Sequence, residues 1–177
     1  MNKAIVLYQS KYGATRKYAE WIAEALGCSA VETKKADVEQ VREYDLIILG
    51  GGVYASGIAG LSFLRKNYAQ LKEKRIIVFA VGARPFDESV VSALEEHNFK
   101  GPLTDLPLFY CRGAWDEEAM TWGDRVLCRM LKKIVAKQDP ASHGPLERVI
   151  MEAGTKHDWT DREQIQPILD FVRGNQP

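Results

Sequence analysis

Three uninterrupted apolar runs, each followed by a helix-forming stretch, constrain this chain more than any other feature. Ala4 to Tyr8 (AIVLY), Leu46 to Leu49 (LIIL) and Ile76 to Val81 (IIVFAV) are apolar at every position and rich in β-branched residues. A strand covered on only one face would alternate, so these runs predict strands covered on both faces, as in a parallel sheet. Helical periodicity fills the intervals. Thr15 to Leu26 carries Tyr18, Ile22 and Leu26 on one side and stops at Gly27, and Leu61 to Leu71 repeats the pattern with Leu61, Leu64, Tyr68 and Leu71. Asp87 to His97 predicts a third helix, Leu106 to Cys111 (LPLFYC) a weaker strand, and Ala30 to Thr33 an edge strand. Parallel neighbours need right-handed helical crossovers, which put helices on both faces of the sheet. The expected fold is therefore α/β, a doubly wound five-stranded parallel sheet in the order 2-1-3-4-5, rather than the six-stranded dinucleotide-binding order. Ligands of such sheets bind beyond the carboxyl ends of the strands. That singles out Gln9 to Thr15, Gly50 to Gly60, Gly82 to Asp87 and Arg112 to Glu118.

The 177 residues, 46% hydrophobic, are enough for one compact domain spanning 1–177 without metal or disulfide staples. Lys and Arg number 24 against 24 Asp and Glu, so no overall field steers the protein to nucleic acid. Cys28, Cys111 and Cys128 form no CxxC pair, and His97, His143 and His157 stand apart from them, which fits a reducing cytoplasm and no zinc site. Met1 to Gln9 lacks a cleavable small-residue site and does not read as a signal peptide.

The chain from 116 to 148 is extra relative to a minimal five-strand unit. Met120 to Lys137 reads as a helix with Val126, Leu127, Met130, Leu131 and Ile134 on one side. Arg125, Arg129, Lys132, Lys133 and Lys137 lie elsewhere, against the single acid Asp124. Such a helix could rest on an anionic membrane surface or pack its apolar side on its own domain, and the pattern alone admits both. Lys137 to Arg148 reads as a loop. A last helix is expected from Thr160, with Thr160 and Glu163 as a capping box, to Arg173, and Pro167 inside it predicts a kink or a late start.

The segment Ser10-Lys11-Tyr12-Gly13-Ala14-Thr15 leaves the first strand and enters the first helix. Hydroxyls at both ends, free N–H groups at a helix start and a glycine for the tight curl are what a phosphate needs. The segment lacks both the Gly-Lys-Ser/Thr ending of a triphosphate loop and the GxGxxG spacing of a dinucleotide turn. Its plain alternative is a strand-to-helix turn with a threonine cap. After the third strand, the stretch from Gly50 to Gly57 allows a flat ring to approach at Gly52, Val53 and Ala55, with Tyr54 offering an aromatic face. Gly82, Ala83 and Arg84 follow the fourth strand. No side chain reads as a catalytic acid or base, His97 and Cys111 being candidates by residue type only.

Ser10-x-x-Gly13-x-Thr15 after a first parallel strand resembles the FMN phosphate loop of the flavodoxin family. That resemblance implies phosphate contacts from Ser10, Thr15 and the N–H groups of Lys11 to Thr15, and ring contacts from Gly52 to Ala55 and from Gly82 to Arg84. A cation at Arg84 would stabilise negative charge on the ring. From Lys3 to Phe171 the chain resembles the flavodoxin-type protoporphyrinogen dehydrogenases of bacteria. That likeness is carried also by Ala83-Arg84-Pro85, Trp122-Gly123-Asp124-Arg125 and Asp158-Trp159-Thr160-Asp161. It implies hydrogen removal from a porphyrinogen, electrons passed to a quinone, and peripheral membrane contact through Met120 to Lys137. A flavodoxin-type electron carrier, an NAD(P)H-dependent quinone or flavin reductase, and a module with an empty pocket remain alternatives.

Overall fold

The computed structural model describes residues 3–174, so the first two residues of the run from Met1 to Gln9 lie outside it. Its strands are β1 (Ala4–Gln9), β2 (Ser29–Glu32), β3 (Leu46–Tyr54), β4 (Gly57–Ile58), β5 (Arg75–Gly82), β6 (Leu108–Arg112), β7 (Ala114–Asp116) and β8 (Lys156–Asp158). The helices are α1 (Ala14–Leu26), α2 (Val38–Val41), α3 (Leu61–Leu71), α4 (Glu88–Asn98), α5 (Trp122–Val135), α6 (Pro145–Glu152) and α7 (Gln166–Arg173). Five parallel strands lie in the order β2-β1-β3-β5-β6, and β4 pairs antiparallel with the end of β3. Without the short β4 this is the expected 2-1-3-4-5 order.

Alternate residues of the central strands feed two cores. Val6, Ile48, Ile77 and Phe79 meet Tyr18, Ala19 and Ile22 of α1 and Ile168 and Leu169 of α7. Leu7, Leu49 and Val78 meet Leu61, Leu64 and Leu71 of α3 and Val90 and Leu94 of α4. The continuous apolar runs follow from this two-sided burial. Among the described residues no helix is long and apolar enough to cross a membrane.

Several local expectations need correction. Gly50 to Gly52 form no loop: β3 continues through them to Tyr54, and they are buried. Neighbours already occupy the space of their side chains, since a Cβ on Gly50 would lie 2.1 Å from Phe79 Cζ and one on Gly51 2.1 Å from the carbonyl oxygen of Ala59. The first helix is capped by Gly13 in the left-handed region, φ 97°, rather than by a threonine. Thr160 and Glu163 make no capping box, because Asp161 accepts from the Glu163 N–H at 3.0 Å while the Thr160 hydroxyl bonds Asp158 at 2.6 Å. Pro167 sits in the first turn of α7, where its missing N–H removes no helical bond, so the helix starts late and has no proline kink. The Lys137 to Arg148 loop ends early in α6, which starts at Pro145. The extra segment is therefore more than a helix and a loop: β7 and β8 pair antiparallel, Trp115 opposite His157, and enclose α5 and α6 between them.

Candidate functional site

The carboxyl ends of β1, β3 and β5 open onto a cavity of about 360 Å³, within the range of small-molecule sites. Ser10, Tyr12, Ala14 and Thr15 line it from the first loop, Gly52, Val53, Tyr54 and Ala55 from the end of β3, and Gly82 and Ala83 from the end of β5. Lys11, Gly13 and Arg84 are not part of the lining. The roof comes from the added segment: Trp115 of β7, Met120, then Asp124, Leu127, Cys128 and Leu131 of α5, and Ile150 of α6. A larger hollow of about 620 Å³ flanks edge strand β6 and is lined by no residue of the first loop or of the β3 end.

The first loop is shaped for an anion. The Ser10 hydroxyl accepts from the Gly13 N–H at 3.0 Å, and the first helical bond runs from the Lys17 N–H to the Gly13 carbonyl at 3.0 Å. The N–H groups of Ala14, Thr15 and Arg16 precede that bond and have no acceptor within the helix. Thr15 is 2% exposed, lines the cavity, and has no hydrogen bond to its hydroxyl among the described residues. Free first-turn donors, the positive end of a helix and two hydroxyls on one wall fit a phosphate monoester.

Tyr54 folds back over Gly52, so that a Cβ there would stand 2.6 Å from the tyrosine oxygen. Its hydroxyl accepts from the Lys11 N–H at 3.2 Å, and its ring meets Tyr12 edge-on at 6.2 Å. Burial raises the Tyr54 hydroxyl above its ordinary pKa, which keeps it a neutral group at physiological pH. The hairpin beyond it turns through Ala55 at φ 46° and Ser56 at φ 67°, values that cost side-chain-bearing residues about 1–3 kcal/mol each. The strain is held by Asn98, buried at the end of α4. Its carbonyl accepts from Ile58 N–H at 2.9 Å, and its amide donates to the carbonyls of Ser56 at 2.7 Å and Leu94 at 2.9 Å. Sequence reasoning missed Asn98, because an asparagine ending a helix carries no sign of a partner 40 residues away.

The end of β5 is fixed from β6. Arg112 Nε donates to the Ala83 carbonyl at 3.0 Å, its NH2 group reaches Glu152 at 3.0 Å, and its guanidinium lies 4.1 Å over the Trp159 ring. Tyr110 donates to the Arg84 carbonyl at 2.7 Å. The Arg84 Nε is buried and has no hydrogen-bond partner among the described residues.

The roof is tied down by polar contacts. Thr121 caps α5, with Asp124 in the first turn and Lys132 and Lys133 in the last, in accord with the helix dipole. Lys11 Nζ and the Tyr12 hydroxyl both donate to the Asp124 carboxylate. Those two bonds, Lys11 foremost, hold its pKa down to about 2. Glu117, 4% exposed, accepts from Lys132 and from the Trp115 indole, with Arg129 3.9 Å away. Burial pushes its carboxyl up, but these partners prevail and leave it below its ordinary value. In the sequence Asp116, Glu117 and Glu118 are three consecutive acids. The internal partner of Glu117 was legible only in a basic helix close by. Among the described residues no three His, Cys, Asp or Glu gather as a metal site.

A family model described as a flavodoxin domain matches residues 5–142. No curated protein matches the chain. Among solved structures, it is similar to the Trp repressor binding protein of Bacillus subtilis at 17% identity and a TM-score of 0.49, over 63% of this chain and 85% of that one. It is similar also to a flavoprotein from Lactobacillus acidophilus in complex with FMN, at 22% identity and a TM-score of 0.40, over 63% and 93% of the two chains. An archaeal flavodoxin matches at 16% identity and a TM-score of 0.41, over 72% and 92%.

Proposed function

The chain belongs to the flavodoxin domain family, and from that premise we propose that it binds one FMN noncovalently and works as an FMN-dependent oxidoreductase. The observation that carries this reading is the first turn of α1. Ala14 and Thr15, whose N–H groups have no acceptor within the helix, line the same cavity as Ser10, Tyr54, Gly82 and Ala83. Ser10, Thr15 and the first-turn N–H groups of Ala14 and Thr15 would hold the phosphate, while the Lys11 and Gly13 N–H groups are bonded to the Tyr54 and Ser10 hydroxyls. Gly52, Val53, Tyr54 and Ala55, with Gly82 and Ala83, would flank the ring, and Arg84 would add a positive charge behind its loop. The bound flavin would supply the redox chemistry, so no catalytic side chain is required of the protein. Asn98 and Arg112 hold the two ring-side loops in place, and the α5 roof screens the cavity from water. Purified protein titrated with FMN in a calorimeter should release heat and turn yellow. Material that stays colourless with no heat of mixing overturns the assignment.

For the reaction, we infer removal of hydrogen from a bulky, largely apolar, protoporphyrinogen-like donor, with electrons passed to a quinone. Two features support it. The part of the cavity roofed by Trp115, Met120, Leu127, Leu131 and Ile150 is apolar. The outer stripe of α5 is exposed at Trp122 (81%), Met130 (55%) and Ile134 (52%), beside exposed Arg129, Lys133 and Lys137. A cationic helix with an apolar stripe and a tryptophan suits the interface of an anionic membrane, where quinones reside. Zero net charge speaks against a pure shuttle protein, which gains from a strong field in finding its partners. Flavin-loaded protein mixed with protoporphyrinogen and a menaquinone analogue should develop porphyrin fluorescence. Sedimentation with anionic vesicles at low salt checks the membrane contact.

A further inference from the structure

One charged pair stands beside the proposed phosphate site, its carboxylate on the cavity wall and its ammonium just outside the lining, and comes from two parts of the chain that the sequence keeps apart. Asp124, in the first turn of α5, lines the cavity together with Ser10, Tyr12 and Thr15. Its carboxylate takes both the Lys11 ammonium and the Tyr12 hydroxyl. Lys11 is the cation that an anion entering this loop would ordinarily exploit, and here its charge is already met by a carboxylate. A phosphate dianion arriving at the first turn of α1 would therefore face a neutralised pair rather than a free ammonium. The remaining attraction would come from helix-end N–H groups and hydroxyls, which are neutral dipoles.

We infer that Asp124 is a specificity-determining residue of the cofactor site: by neutralising Lys11 it sets how strongly phosphorylated flavin is preferred over the unphosphorylated one. The inference rests on the FMN reading above. The site's discrimination then belongs partly to the added segment, since α5 supplies the carboxylate that the five-strand body lacks. The side chains of Lys11 and Asp124 are 42% and 39% exposed, so solvent screens them and the effect is moderate rather than absolute. Removing either charge should act on the phosphate alone. Riboflavin carries the same ring without a phosphate, and its affinity should not change.

The test compares wild type, Asp124→Asn, Lys11→Met and the double variant, titrated with FMN and with riboflavin at low and at high salt. Asp124→Asn is nearly isosteric and keeps an acceptor for Tyr12. The Lys11 charge beside the loop is then no longer cancelled, and FMN should bind roughly fivefold tighter at low salt. Lys11→Met leaves the carboxylate unopposed and should weaken FMN by a similar factor. The double variant restores neutrality and should return close to wild type. Riboflavin should bind all four proteins within about twofold, and the FMN differences should shrink at high salt. Far-UV circular dichroism of the four proteins checks that α5 still folds. Equal shifts for both flavins, or weaker FMN binding by Asp124→Asn, overturn the inference while leaving the FMN reading intact. Wild type that binds no FMN brings down both.

Discussion

The sheet body and the added segment between Ala114 and Asp158 are built by opposite means. In the body, Val6, Leu7, Ile47, Ile48, Leu49, Ile77 and Phe79 are wholly buried, and strand follows strand in unbroken parallel register. In the segment, α5 buries Val135 and little else, while Trp122, Leu127, Met130 and Ile134 stand more than half exposed. What fixes α5 is a short set of polar ties: Asp124 to the first loop, Arg125 to the carbonyls of Glu117, Glu118 and Met120, and Lys132 to Glu117 and the Gly154 carbonyl. Apolar burial is cooperative and spread over many residues, whereas a few ion pairs can be undone one at a time. The body is therefore held by burial spread over many residues and the segment by separate polar ties, with the cavity where they meet.

The contrast predicts effects of decreasing size. Leu49→Ala opens a hole in the central strand and should cost about 2–5 kcal/mol of global stability, read as a lowered denaturant midpoint. Asn98→Ala strands the Ile58 N–H and the Ser56 carbonyl under a strained hairpin. A loss of roughly 2–4 kcal/mol is expected, together with faster amide exchange confined to the β3–β4 hairpin and the end of α4. Exchange that rises evenly across the sheet would show that the hairpin is not a separate unit.

Glu117→Gln should cost less, roughly 1–3 kcal/mol, because Lys132 is only partly buried and can turn to water. The loss should appear as exchange and proteolysis in α5 and α6, with the sheet unaffected. An equal loss of protection in β1 and β3 would mean that segment and body unfold together.

Acid should separate the two regions without any mutation. Bonds from Lys156 lower Asp116, those from Lys11 and Tyr12 lower Asp124, and Arg112 lowers Glu152; in Glu117 and Asp158 burial opposes, but hydrogen bonds prevail. A carboxyl whose folded pKa is depressed contributes stability above its unfolded value and loses it as pH falls through the folded one. These contributions are full above the ordinary values of 4.5 for Glu and 3.8 for Asp and fade below them, down to about 2 for Asp124. Three of the four tryptophans, Trp115, Trp122 and Trp159, report on the segment or its contacts, and Trp21 on the body. Tryptophan emission should therefore shift in acid before the far-UV signal of the body is lost.

Much of the frame was legible in the chain itself. The runs at Ala4, Leu46 and Ile76 are apolar at every position because both faces of the sheet are covered, and the helical stripes between them admit only right-handed crossovers. That Ser10 to Thr15 lead from the first strand into the first helix was legible as well, since the signals lie in consecutive residues. Other features were not. Glycine triplets read as a turn until Phe79 and Ala59 are seen pressed against them. The three polar residues of β8 (KHD) become a strand only because β7, some 40 residues earlier, offers a partner. The basic helix could be assigned, but its stripe gave no sign whether core or solvent lay beneath it.

Periodic burial is a local signal, repeated along a strand or helix, and the amino-acid order determined it: the sheet, its strand order and the place where a ligand would enter. Single polar contacts between distant residues leave no period to read. Only the tertiary structure decided that Asp124 would reach Lys11 across 113 positions, that Asn98 would grip the hairpin, and that Glu117 would be buried beneath α5.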